Sequence, residues 1–254
     1  MADELVHYAV SGGIATITLD SPHNRNALSA QLRRELGAGL TAASEDPDVR
    51  VIVLDHTSEV FCAGMDLKEA RDTDASEQGV NEFPNILTQI LTSAKPVVAK
   101  LAGPARAGGV GIVAAADISV ASRAATFAFT EVRLGLVPAV ISVPILPRLL
   151  PRQARELFLT GERFDADRAA QVGLVNSAVD PESLDDEVDR YVTALARGGP
   201  NALAATKRLL DSHDELPQRF DEMLSLSAEF FAGSEAQEGI AAFAQKRAPG
   251  WVPE

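Results

Sequence analysis

Cysteine occurs once in this sequence, as Cys62, so no disulfide can form within the chain. That fits a reducing compartment. Aromatic residues make up only 5%. Positive charge is also scarce: 23 Lys and Arg stand against 36 Asp and Glu, a net charge of -13. Nonspecific binding to nucleic acid or to an anionic membrane is therefore disfavoured, although a local basic patch could hold a phosphorylated ligand. Lys207 with Arg208, and Lys246 with Arg247, are isolated pairs rather than a broad basic surface interleaved with aromatics. No apolar run reaches the roughly 18 residues of a membrane span, and "IVAAA" stops at Asp117. The opening "MADELVHYAV" is acidic and lacks the basic region of a signal peptide, so a cytoplasmic protein is expected. Neither GxGxxG nor GxxxxGK[ST] occurs, which leaves dinucleotide and nucleoside-triphosphate readings without support. His7, His23, His56 and His213 are scattered and Cys62 has no partner at metal spacing, so no metal is expected.

What is present is 254 residues that are 46% apolar, enough for a sizeable core in one large domain or two small ones. "ELVHYAV" and "IATITL" read as strands joined by a turn at Ser11-Gly12-Gly13. A helix is expected from about Leu28 to Ala43, and "VRVIVLD" reads as a central strand. "FCAGMDLKEA" leaves a strand and enters a helix; residues 71–80 are polar and expected to be mobile. Another helix follows over 83–92, then a strand from Pro96, a short buried helix over 108–116 and the strand "DISVAS". This alternation predicts an α/β layered core. Residues 151–247 read as mainly helical.

Two turns carry the chemistry. "CAGMDL" and "ARAGGVGI" each follow a strand signal and precede a helix signal. The first turn of a helix exposes N–H groups without intrahelical partners, and small residues let a carbonyl approach them. Two such amides on one oxygen make an oxyanion hole, worth about 2.7–4 kcal/mol per donor. Packing alone also places glycine in such turns. Glu131, in "AFTEVRLG", is an acid among apolar neighbours; burial would raise its pKa towards the range useful for proton exchange. An ion pair with Arg133 is the plainer alternative. Asp66 reads as a cap for the turn that follows, and Cys62 as a small buried residue.

"FCAGMDLKEA", "AGPARAGGVGIVAAADISVAS", "FAFTEVRLGLVPAVIS" and "EGIAAFAQKRAPGW", in that order, resemble the enoyl-CoA hydratase/isomerase, or crotonase, family. The resemblance runs from "IATITLDSPHNRNALS" to Trp251. It implies an α/β fold, a crotonase-like spiral of β-β-α units with perpendicular sheets and a helical C-terminal region. Residues 1–195 would form the core with the acyl-CoA site, and 196–254 a trimerisation region packed on it. A homotrimer or hexamer is implied. So is an acyl-CoA substrate with no separate cofactor, coenzyme A being part of the thioester. The amides of Met65 and Gly108 would hold the thioester oxygen, with Glu131 as the proton-transferring acid. Ala63, Gly64 and Asp66 would contact the coenzyme A adenine side, and Phe243 and Lys246 would flank adenine or phosphate, with a solvated helix end as the plain alternative. Asp117 would be structural.

One family feature is missing. The hydratases' second glutamate should stand three residues after Gly108, where this chain has Gly111. Glu69, Glu77 and Glu82 fall in a region that often lines the acyl pocket. Arg106 replaces a more usual apolar residue and either reaches substrate, a carboxylate or a coenzyme A phosphate, or lies on the surface. Hydration of a trans-2-enoyl-CoA in fatty acid metabolism is the leading expectation. Δ3,Δ2-isomerisation with one glutamate and non-catalytic acyl-CoA binding are the alternatives. Decarboxylation, thioester hydrolysis and dehalogenation have no residue that calls for them.

Overall fold

The computed structural model describes residues 4–66, 69, 82–210 and 215–252. Strands β1 (Val6–Ser11) and β2 (Ile14–Leu19) form an antiparallel hairpin closed at Ser11 and Ile14. β2 then pairs in parallel with β3 (Val51–His56), β3 with β4 (Val97–Leu101), β4 with β6 (Ile118–Ser122) and β6 with β9 (Ser177–Val179). The six-stranded order is β1-β2-β3-β4-β6-β9. β3 is central, as its unbroken apolar run requires. Its alternate residues serve two cores, because successive side chains leave a strand on opposite faces. Ile52 and Leu54 join the main core; Val51 and Val53 join Val98 and Val120 on the other face. Helix α7 (Leu184–Ala196) covers that second face with Leu184, Val188 and Val192, spaced to share one side of a helix.

A second, smaller layer positions the site. β5 (Ala105–Arg106), β7 (Thr126–Ala128) and β8 (Phe164–Asp165) form a three-stranded sheet. Isolated bridges Cys62–Ala105 and Leu28–Met65 extend this line of backbone. The chain thus repeats one move: a strand in the large sheet, a short strand in the small one, then a helix. β4, β5 and α3 (Gly108–Ala115) are the clearest example.

Several helices have visible local causes. α1 (Ala30–Glu45) starts at Ser29, whose hydroxyl accepts from the Leu32 amide at 3.3 Å, and buries Leu32, Leu36 and Leu40 at four-residue spacing. α2 (Glu82–Thr92) buries Ile86, Leu87 and Ile90. α3 is buried on every side from Gly109 to Ala115, which its lack of polar residues permits. α4 (Ala139–Ile145) lies against α3 and against α9 (Leu216–Phe231). Leu216 and Phe220 of α9 enter the same core as the large sheet. The remaining helices are α5 (Pro151–Thr160), α6 (Ala166–Gln171), α8 (Pro200–Leu210) and α10 (Ser234–Gln245). Among the described residues no helix is long and apolar enough to cross a membrane.

Asp117 sits where α3 returns to the sheet. Its carboxylate accepts from the Val97 amide at 2.7 Å and from Lys207 Nζ at 2.6 Å. It therefore bonds backbone, as expected. Lys207, one of the isolated basic pairs, is held by Asp117 and the Lys95 carbonyl, tying α8 to the sheet. The helix expected after "CAGMDL" and the polar stretch 71–80 lie outside the described residues, apart from Glu69.

Candidate active site

The first glycine-alanine turn is pinned from both sides. The Phe61 amide donates to the Pro104 carbonyl at 3.0 Å and the Arg106 amide to the Cys62 carbonyl at 2.9 Å. On the other side Ala63 donates to Arg25 at 3.1 Å and Leu28 to the Gly64 carbonyl at 2.8 Å. Gly64 takes φ +91°, and a Cβ there would stand 3.0 Å from the Ala107 methyl. Only glycine fits that turn without strain. The Met65 amide, next along, has no hydrogen-bond partner among the described residues.

The second turn is held by an unusual residue. Ala107 has φ +45° and ψ -118°, a conformation that costs a non-glycine residue about 1–3 kcal/mol. Both of its peptide groups are engaged: its N–H donates to Ala128 at 3.2 Å, and its carbonyl accepts from Val110 and Gly111. The Gly108 amide that follows has no partner among the described residues. It lies at the N-terminus of α3, where the helix carries partial positive charge.

Both turns open onto one cavity of about 530 Å³, whose wall includes Ala63, Met65, Ala107, Gly108 and Glu131. Glu131 lies in a 3-10 turn, Thr130–Leu134, just beyond β7. Its Oε2 is buried without a hydrogen-bond partner among the described residues. Burial pushes the carboxyl from the ordinary glutamate value of 4.5 to about 7. The alternative ion pair with Arg133 does not form: Arg133 Nε donates to the Thr160 carbonyl at 3.3 Å. Among the described residues Glu131 is the only carboxylate on the cavity wall, which carries no histidine or cysteine either. It is therefore the candidate on that wall for proton exchange near neutral pH. Cys62 is fully buried beside the first turn; desolvation raises its thiol to about 12, so it packs as an uncharged group.

The position of the missing second glutamate is filled. A Cβ on Gly111 would stand 2.9 Å from Ile141 Cγ2 of α4 and 3.7 Å from Leu87. Neither described acid weighed as a substitute takes its place. Glu69 accepts from the Ala30 amide at 2.8 Å, and Glu82 pairs with Arg33 at 3.6 Å; neither is on the wall. Glu77 lies outside the described residues.

The C-terminal segment covers the cavity of its own chain. α10 lies across the Glu131 turn, and a Cβ on Gly239 would meet the Leu134 carbonyl oxygen at 2.3 Å. Phe243, Arg247 and Pro249 then line the cavity. Lys246, expected there, stands off the wall. It caps α10 in the left-handed region at φ +55°, and this turn carries Arg247 to the cavity instead. Gly64 and Asp66 are also off the wall. Asp66 accepts from the Asn24 amide group at 3.0 Å and the Glu69 N–H at 3.4 Å, in keeping with its reading as a cap. Sequence reasoning missed Arg25, Arg33 and Arg163, which join Arg106 on the wall. Nothing in their local spacing marks them; the tertiary fold brings them together.

A family model described as enoyl-CoA hydratase/isomerase matches residues 9–253. An enoyl-CoA hydratase from Mycobacterium avium has a solved structure similar to this chain, with 44% identity, a TM-score of 0.88, and coverage of 98% of this chain and 100% of that one. An enoyl-CoA hydratase from Mycobacterium smegmatis is 31% identical at TM-score 0.79, covering 98% and 99%. A carnitinyl-CoA dehydratase of Citrobacter koseri is 35% identical over 258 residues, 98% of each chain. The match extends over nearly the whole chain, and the chain belongs to the enoyl-CoA hydratase/isomerase family, with the crotonase fold.

Proposed function

We propose that this protein reversibly adds water across the C2–C3 double bond of a 2-enoyl-CoA thioester. The observation that carries this reading is a buried Glu131, with its carboxyl near pKa 7, on the same wall as the unpartnered amides of Met65 and Gly108. The thioester oxygen accepts from the two amides. Charge growing there as C3 takes the nucleophile is stabilised by donors already in place. The Glu131 carboxylate takes a proton from water as its oxygen bonds to C3, then delivers that proton to C2. In the reverse direction it removes the C2 proton and returns it to the departing hydroxide. One carboxylate suffices because proton and hydroxide use the same face. The hydratase and dehydratase names of the relatives support this addition-elimination chemistry.

Gly111 favours a second reading. With Ile141 in the place of a second carboxylate, Glu131 alone could carry a proton between C2 and C4 of a 3-enoyl-CoA. The deciding experiment incubates the protein with trans-2-enoyl-CoA and 3-enoyl-CoA and weighs the products. A gain of one water on the first supports hydration. Double-bond movement without mass change supports isomerisation, and no gain of water on any 2-enoyl-CoA overturns the leading reading. The acyl-CoA is expected to meet a trimer or hexamer of this chain, built through its C-terminal helices, with coenzyme A as part of the substrate and no further cofactor.

A further inference from the structure

Arg106 is half-buried on the cavity wall, two residues before Gly108. Its Nη1 donates to the Ala105 carbonyl at 2.8 Å and the Thr126 carbonyl at 2.5 Å, and its Nη2 to Thr126 Oγ1 at 2.7 Å. A guanidinium has five N–H donors. Those left over are the Nε–H and the second Nη2–H, neighbours on one edge, whose spacing matches the two oxygens of a carboxylate. Among the described residues this edge has no partner, yet it is not sealed: neither Nε nor Nη2 of Arg106 is among the buried side-chain atoms that lack a hydrogen bond. Among the described residues no carboxylate pairs with Arg106. The charge that acts on it is another cation, Arg163, also on the cavity wall and also without an ion pair among the described residues. Asp165, paired with Thr126 across β7 and β8, caps α6 with its carboxylate, which accepts from the Arg168 amide at 2.8 Å. Desolvation and Arg163 lower the Arg106 pKa to about 10, which leaves it charged at neutral pH. In a chain of net charge -13, two cations with no counter-ion among the described residues face the cavity.

We propose that the free edge of Arg106, with Arg163 beside it, binds a second carboxylate on the acyl group. The cavity then prefers short dicarboxylic acyl thioesters over neutral ones and rejects cationic ones. This rests on the reading above that Gly108 holds the thioester oxygen. Arg106 lies two Cα steps from Gly108, each about 3.8 Å. The coenzyme A phosphates are a full pantetheine arm away from the thioester, so the acyl group is the nearer source of an anion. Cations on the wall act by repulsion as well as attraction, which is how a site excludes a substrate of the wrong sign.

The test compares wild-type affinity for glutaryl-CoA and valeryl-CoA, saturated thioesters that cannot be hydrated, so the result is independent of the hydratase reading. Glutaryl-CoA is expected to bind at least about tenfold tighter, the scale of one charge-assisted bidentate contact. In Arg106→Met that ratio should fall to about one, and Arg106→Lys, which keeps charge but loses the fork, should lie between. A wild-type ratio near one, or a ratio undiminished in Arg106→Met, overturns the proposal. So does an equal loss for both thioesters that vanishes with their dephospho-CoA forms, since the arginine would then read a coenzyme A phosphate. If Arg106→Met does not fold, Arg163→Gln, whose side chain is exposed, must lower the ratio or the pairing is refuted.

Discussion

At the scale of single residues, Glu131 couples activity to a stability cost. Its carboxyl titrates near 7 because burial penalises the charged form. The reaction starts from the carboxylate, so kcat/KM should rise as pH passes upward through about 7. Glu131→Gln should bind acyl-CoA with little change and lose about a thousandfold or more in turnover; near-wild-type turnover would remove Glu131 from the mechanism. The linkage has a definite sign. The folded state holds the Glu131 proton more tightly than the unfolded state, so ionisation destabilises the fold as pH rises from 4.5 through 7. The penalty is absent below pH 4.5 and full above 7, at about 3 kcal/mol. Glu131→Gln should therefore melt higher than wild type at pH 8 and at the same temperature near pH 4.5. Equal melting at both would refute the burial argument. Gly111 supplies the complementary case. Gly111→Glu should not act as a second acid, because Ile141 occupies the space. Overpacking there should cost about 1–3 kcal/mol by denaturant unfolding. A Gly111→Glu variant as stable as wild type would show that α4 yields.

At the scale of elements, the seating of α10 decides how the cavity is closed. Gly239 touches the Leu134 backbone so closely that any side chain must lift the helix. Gly239→Leu should displace Phe243 and Arg247 from the wall and weaken acyl-CoA binding by about tenfold or more in titration calorimetry. Unchanged affinity would mean that α10 is no part of the binding wall. The same element shows what a sequence can disclose. Apart from the two-residue β5, the strands from Val6 to Ser122 and the helices α1 to α3 are legible within about two residues, because periodicity and turn chemistry are local. Met65, Gly108 and Glu131, which the family resemblance named from short motifs, meet on one cavity wall. β9 was hidden within a stretch that reads as helical; three residues, Ser177–Val179, carry too little pattern. α4 was hidden too, since "AVISVPI" contains β-branched residues and Pro144 and owes its helical form to packing against α3 and α9. Arg247 took the place expected of Lys246 because of one left-handed residue, a feature that side-chain type does not announce.

At the scale of the whole molecule, one chain supplies both the floor and the cover of the cavity. The C-terminal segment closes over the cavity of its own chain, through Phe243, Arg247 and Pro249. Elsewhere α8 leaves Leu209 and Leu210 exposed at 84% and 74%, and Leu146, Leu150 and Leu159 are exposed on and between α4 and α5. Single exposed leucines are ordinary, but two adjacent ones at the end of a helix tied to the sheet through Lys207 and Asp117 form a rigid apolar edge. If the C-terminal region builds a trimer or hexamer, that edge is where subunits should meet. Leu209→Asp with Leu210→Asp buries two carboxylates in such an interface and should shift the sedimentation coefficient to that of a monomer. Truncation after Gly233 should instead weaken acyl-CoA binding, because it removes Phe243 and Arg247 from the wall. An oligomer that survives the double aspartate variant would move the interface away from α8. A wild-type chain that sediments as a monomer would reject the assembly itself, and the cavity, closed in cis, would then have to work alone.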